Sequence, residues 1–256
     1  DAGRCRVMVG GDGMWGHGAE LTVFDCKSDS LRMRAAVPLC GWYTPSRQRV
    51  LGHNPVSRKF YYRWGSAAGG VGVIDEHTNK VVRRVVLPQM SSQSDLVYCR
   101  TSNKLYCGSA PGVAVVDGAG DSLLKLVELA GGTAQALSWC PDYNKLYCTG
   151  MPGPRWYMAV VDCFSDSVIK EIEFYDFPGQ PEYIGGGRLL YSYGHRLALV
   201  DCRNDSVLAD TDMQSNVDAV EHTGDGGKVY IARGGRVEVL DGDSLYPITT
   251  VDWAWE

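Results

Sequence analysis

Several things are scarce or missing in this 256-residue chain, and each narrows what it does. There is no run of 18 apolar residues, so no membrane-crossing helix and no membrane insertion is expected. Lys and Arg together number 25 against 30 Asp and Glu, a formal charge of −5. A chain without a basic excess is not expected to present a general nucleic-acid surface. Histidine is rare, at five residues. No G-x-S-x-G elbow, H-E-x-x-H pair, P-loop or C-x-x-C zinc spacing occurs. No 11-residue window holds a sustained helical period, so helix content should be very low. The nine cysteines are odd in number and stand in a chain too long to need staples; they read as small buried strand residues. Cys99 with Cys107, and Cys140 with Cys148, would face each other across a hairpin only in one strand register.

What is present is a repeat. Aligned on one aspartate, the segments LTVFDCKSDSL, VGVIDEHTNKV, VAVVDGAGDSL, MAVVDCFSDSV, LALVDCRNDSV and VEVLDGDSL place Asp25, Asp75, Asp117, Asp162, Asp201 and Asp241 in one column, 50, 42, 45, 39 and 40 residues apart. Ahead of five of them runs a second unit: RKFYY, NKLYC, NKLYC, RLLYS and GKVYI. A third, weaker strand precedes that one, as in DLVYC and ALSWC. Val, Ile and Tyr dominate these segments and Gly, Asn, Asp and Pro bound them, the pattern of short strands joined by turns. Each unit is therefore four strands, a to d, with the aspartate ending strand c. A lone four-stranded sheet cannot bury both faces; radial stacking covers them. The period of about forty residues suits a propeller blade. The whole chain, 1–256, is expected to be one all-β domain of about six four-stranded blades. Strand a of the first blade would come from the short stretch at Trp253–Glu256, closing the ring there, unless that blade has three strands. The chain opens at Asp1 without methionine and is expected to be a processed form or a piece of a longer protein.

The phrases NKLYC…VAVVDGAGDSLLKLVEL and NKLYC…MAVVDCFSDSVIKEIEF resemble the YVTN-type β-propeller repeat family. The likeness runs over nearly the whole chain. It implies the propeller fold and leaves function open, since such propellers include lyases, hydrolases and binding surfaces.

The strand-end aspartates recur in every unit, so they are expected to accept hydrogen bonds from the following turn and not to hold a metal. Tyr106, Tyr147, Tyr191 and Tyr230 are expected to pack between blades. Gly11-Asp12-Gly13-Met14-Trp15-Gly16 matches the dinucleotide fingerprint, but the next element reads as a strand, and the motif needs a helix N-terminus to hold phosphate. Function should lie where blades differ, on the face carrying the b–c and d–a loops. There stand Trp15, Trp42, Tyr43, Arg47, Trp64, Trp156 and Tyr193, a set suited to a ligand with apolar surface and some polar or negative character. His17, His195 and Arg155 are the candidate catalytic groups beside it. Asp95, Gln180, Glu182 and Asp218 fall near the channel, where propeller hydrolases of the lactonase or phosphotriesterase type hold calcium; they would give part of a shell for calcium or another divalent cation.

Two functions are compatible with these residues. One is a binding or interaction module that takes a small molecule, glycan or peptide and needs no cofactor. The other is a hydrolase of a lactone, ester or phosphotriester, or a lyase, using the same pocket. The chain also fits a subunit or domain of a larger protein. The repeat type points weakly to a periplasmic, secreted or cell-surface location.

Overall fold

Strand c is the most apolar strand of each unit, and its burial shows why. In the computed structural model Gly70–Asp75 and Gly112–Asp117 are buried at five consecutive positions. Alternation is lost because these strands are covered on both faces by neighbouring sheets. The structure describes residues 6–11, 19–25, 30–37, 51–64, 69–88, 95–130, 132–150, 156–174, 176, 178–215 and 217–252, with side chains from residue 52 onward.

The described residues contain no helix and form antiparallel sheets. The first sheet has three described strands, β1 (Arg6–Gly11), β2 (Ala19–Asp25) and β3 (Ser30–Val37). Five four-stranded sheets follow. The second is β4 (Leu51–Asn54), β5 (Lys59–Trp64), β6 (Gly70–Asp75) and β7 (Lys80–Val86), and the third β8 (Leu96–Cys99), β9 (Lys104–Gly108), β10 (Gly112–Asp117) and β11 (Leu123–Glu128). The fourth is β12 (Ala134–Cys140), β13 (Lys145–Gly150), β14 (Trp156–Asp162) and β15 (Ser167–Phe174). The fifth is β16 (Pro178–Gly185), β17 (Arg188–Tyr193), β18 (Arg196–Asp201) and β19 (Ser206–Asp212). The sixth is β20 (Ala219–His222), β21 (Lys228–Arg233), β22 (Arg236–Asp241) and β23 (Pro247–Asp252).

The expectation of four strands in every blade is thus corrected: five sheets have four, and β1–β3 stand as three. The segment expected to complete that sheet, Trp253–Glu256, lies outside the described residues. The stretch after Gly11-Asp12-Gly13 leads into strand β2, as the rejection of a nucleotide loop required.

The core lies in the seams between consecutive sheets. Tyr61, Val71 and Val73 of the second sheet pack on Leu105, Cys107 and Ala114 of the third. The third and fourth meet through Val113, Val115, Leu137 and Leu146. Tyr147, Met158 and Val160 meet Leu189, Tyr191 and Ala198 at the next seam, and Leu190 and Leu199 meet Val229 and Leu240 at the one after. Outer strands stay wet, as in β7, where five of seven positions are exposed before Val85 turns inward.

The turns follow a single chemistry. Asp75 Oδ1 accepts the N–H groups of His77 and Thr78 at 3.1 and 2.6 Å, and Asp162 Oδ1 those of Phe164 and Ser165 at 3.1 and 2.7 Å. Asp117, Asp201 and Asp241 do the same. The backbone N–H of Thr78 holds the exposed Asp75 carboxyl below its ordinary range. At Asp162 partial burial works against ionisation, and the hydrogen bonds from Ser165 outweigh it, so its carboxyl is also lowered. Depressed carboxyls stabilise the fold above their unfolded pKa, and that stability is lost as pH falls through the lower folded value. The melting temperature should therefore be flat with respect to these groups near neutrality and fall below the ordinary carboxyl value of 3.8. Thermal melts between pH 6 and pH 2.5 of the parent and Asp162→Asn should show a shallower acid limb in the variant.

A second device fastens each sheet to the next. Lys104 Nζ donates to Asp166 Oδ2 at 2.7 Å and to the Cys163 carbonyl at 3.1 Å, while the Tyr106 hydroxyl donates to Asp166 Oδ1 at 2.6 Å. Lys145 and Tyr147 repeat this on Asp205 at 2.8 and 2.6 Å, and Lys59 and Tyr61 on Asp121 at 2.6 and 3.2 Å. The acceptor aspartates sit at φ of 49 to 56°, a left-handed conformation that Asp tolerates better than most residues.

Tyr106 and Tyr147 thus bond across seams as well as pack. Tyr191 is different. Its hydroxyl is buried with no partner, because Leu245 holds the turn position that Asp holds elsewhere. Arg188 bonds to Asp243 and to the Gly242 carbonyl there instead.

Candidate ligand-binding face

The clamps join the start of strand b in one sheet to the c–d turn of the next, so those ends share one face. Antiparallel pairing then puts the b–c and d–a ends on the opposite face. Trp64, Trp156, Tyr193 and His195 all stand at b–c ends and share it. Trp15, His17, Trp42, Tyr43, Arg47 and Arg155 lie outside the described residues.

Trp64 ends β5 and is partly buried, with the Arg84 guanidinium 5.5 Å from its ring centroid. Its indole N–H is buried and has no hydrogen-bond partner. Arg63 beside it is 4% exposed. Trp156 opens β14 opposite Phe174 in β15, and is likewise partly buried.

Tyr193 is no open platform. Its ring is buried in the seam of the fourth and fifth sheets, 4.9 Å from Phe174 and 5.7 Å from Tyr191 by ring centroids. The hydroxyl donates to Asp210 Oδ2 at 2.5 Å and accepts from Arg196 Nε at 3.1 Å. Burial first, then Asp210, pushes its phenol up to about 12. His195 is half exposed, with Nε2 3.8 Å from Asp212 Oδ2.

The sixth sheet adds a charged group at the same end. Arg233, 9% exposed, donates to the Met213 carbonyl, to Ser215 Oγ at 3.1 Å and to Glu238 Oε1 at 2.5 Å. Arg236 reaches the same carboxylate at 3.0 Å. Glu238 and Asp210 were missed from sequence. Glu238 left a signal, a charge at the inward slot of VEVLD where three other repeats hold Ala. Asp210 left none, since outer strands are rich in charge.

The four channel residues split into separate groups. Asp95, 2% exposed, accepts from the Leu137 backbone N–H at 3.0 Å and from Gln180 Nε2 at 3.3 Å, tying the third, fourth and fifth sheets together. Glu182 pairs instead with His222 at 3.7 Å. Asp218 is exposed, and its backbone N–H donates to the Ala232 carbonyl. A hard cation wants six to eight converging oxygens. Among the described residues no three His, Cys, Asp or Glu side chains gather as a metal site would.

The sheet order and seam packing define a β-propeller, and solved structures agree. The chain resembles Kuenenia stuttgartiensis hydrazine synthase (TM-score 0.67, 13% identity, 92% of this chain and 74% of that one). It resembles the C-terminal WD40 domain of Sif2 (0.69, 12%, 94% and 68%) and a chain of a mitotic checkpoint complex (0.67, 12%, 97% and 77%). At these identities the likeness is one of fold. No protein-family model and no curated protein matches the chain.

Proposed function

We propose that this propeller is a binding module that uses its b–c face to hold an extended peptide or protein segment carrying apolar and acidic side chains. The observation that carries this is Trp64, an aromatic ring backed by Arg84 whose indole N–H has no acceptor. A buried donor left unpaired costs free energy that a ligand carbonyl or carboxylate would recover. The contrast between faces supports the same reading. The opposite face repeats its turn and clamp residues from sheet to sheet, while b–c ends carry Trp64, Trp156, the Tyr193–Arg196–Asp210 group and the Arg233–Glu238–Arg236 group, each different. The likeness to a chain of a mitotic checkpoint complex fits a protein partner. In this reading the ring has six blades of the YVTN-like repeat and closes in the first.

Selection from a random peptide display library tests it, with enriched peptides titrated against the parent, Trp64→Ala and Trp156→Ala. Loss of Trp64 should weaken binding about tenfold or more, the size of an aromatic anchor, with the β-sheet circular dichroism retained. No enrichment, or a Trp64→Ala variant that binds as the parent does, overturns the proposal. Turnover of lactones, aryl esters or phosphotriesters that His195→Ala abolishes would point to the hydrolase instead.

A further inference from the structure

The cysteines follow the seams between sheets, not the sheets themselves. The residue that ends the innermost strand, paired to the first residue of the next strand, is Asn54, Cys99, Cys140 and Gly185 in sheets two to five. The residue directly after the strand-end aspartate is Gly118, Cys163 and Cys202 in sheets three to five. These two positions meet across three seams. Asn54 Nδ2 donates to the Gly118 carbonyl at 3.0 Å. Cys99 Sγ lies 3.8 Å from Cys163 Sγ. The thiols of Cys140 and Cys202 are hydrogen-bonded to each other.

Simple copying of a blade would give each sheet both cysteines or neither. Sheet three instead holds Cys99 with Gly118, and sheet five holds Cys202 with Gly185. In both cases the cysteine stands opposite a cysteine of sheet four. The hairpin alternative fails on register: Cys99 faces Lys104, Cys107 faces Leu96, Cys140 faces Lys145 and Cys148 faces Leu137.

We propose that Cys99–Cys163 and Cys140–Cys202 are two inter-sheet disulfide sites, formed by exchange with a small-molecule disulfide, that lock the third, fourth and fifth sheets together. One thiolate attacks a sulfur of the oxidant and expels a thiolate. The second cysteine, losing its proton to solvent, attacks the mixed disulfide and expels the other. Two protein thiols become one disulfide and the oxidant is reduced to two thiols. The 3.8 Å gap closes to a bond of about 2.05 Å by side-chain rotation and a small shift. All four sulfurs are buried, yet Phe164 and Tyr143 in the adjoining turns are exposed, so opening a turn gives the oxidant access. The hydrogen bond from Cys202 holds the Cys140 thiol below its ordinary range, whereas burial pushes Cys99 up. Cys140–Cys202 is therefore expected to close first, since the thiolate is the attacking species.

The test is to incubate the reduced chain with oxidised glutathione a few degrees below its melting temperature, alkylate at intervals, digest without reductant and identify linked peptides by mass spectrometry. Both predicted links should accumulate, Cys140–Cys202 first, and raise the melting temperature by roughly 5–10 °C, reversibly with dithiothreitol. Cys99→Ser and Cys140→Ser should each lose one link and keep the other. Dominant hairpin links, a dominant Cys148–Cys163 link, four thiols still free, or linked protein melting no higher than reduced protein would each overturn the proposal.

Discussion

Replacing Asp166 with alanine should destabilise the protein by about 4 kcal/mol, among the largest effects of any single polar substitution here. Two donors depend on this carboxylate, the Lys104 ammonium at 2.7 Å and the Tyr106 hydroxyl at 2.6 Å. The Lys104 and Asp166 side chains are only 16% and 12% exposed, so water replaces the lost partner poorly. Alanine also fits badly at φ 51°, adding about 1 kcal/mol. Asp166→Asn keeps an acceptor and a residue at ease in that conformation, and should lose about half as much. Lys104→Met combined with Asp166→Asn should be less harmful than the sum of the two, because no uncompensated charge remains buried. Urea unfolding of the four proteins measures this. Equal midpoints for parent and Asp166→Ala would mean that the seam is held by apolar packing alone.

The second large effect is expected at Gly72. In the register of β5 and β6 it faces Tyr62, whose ring lies over it, and an added Cβ would fall inside that ring. Gly72→Ala should cost about 3 kcal/mol as overpacking. Tyr62→Cys alone should cost about 3 kcal/mol by leaving a cavity. The third sheet solves the same position as Cys107 facing Ala114, and the fourth as Cys148 facing Ala159. Tyr62→Cys with Gly72→Ala reproduces that pair, and the double variant should recover at least about 2 kcal/mol of the summed losses in a double-mutant cycle. Additive losses would show that the two positions do not share one volume.

Much of this was legible in the order of residues. The aspartate column marked the end of each strand c, and those carboxylates cap the turns as the chemistry of Asx turns requires. The Trp-bearing segments at Trp64 and Trp156 came out on one face because strand alternation leaves no other choice. Tyr193 was legible only by position. Its segment, YSYGHR, gives no sign that Phe174 and Tyr191 would enclose the ring. The channel residues failed similarly: Asp95 and Glu182 seem alike in sequence, but their neighbours on adjacent sheets give one to Gln180 and the other to His222.

The sequence by itself determined the strands, their turns and the repeating unit, because those depend on contacts within about forty residues that every copy makes again. Only the tertiary structure decided which side chain of one sheet meets which of the next. Lys104 and Asp166 are 62 residues apart, Cys99 and Cys163 are 64, and Asp95 and Gln180 are 85. Such partners are chosen by the radial stacking of whole sheets, and no local pattern of residues encodes that choice.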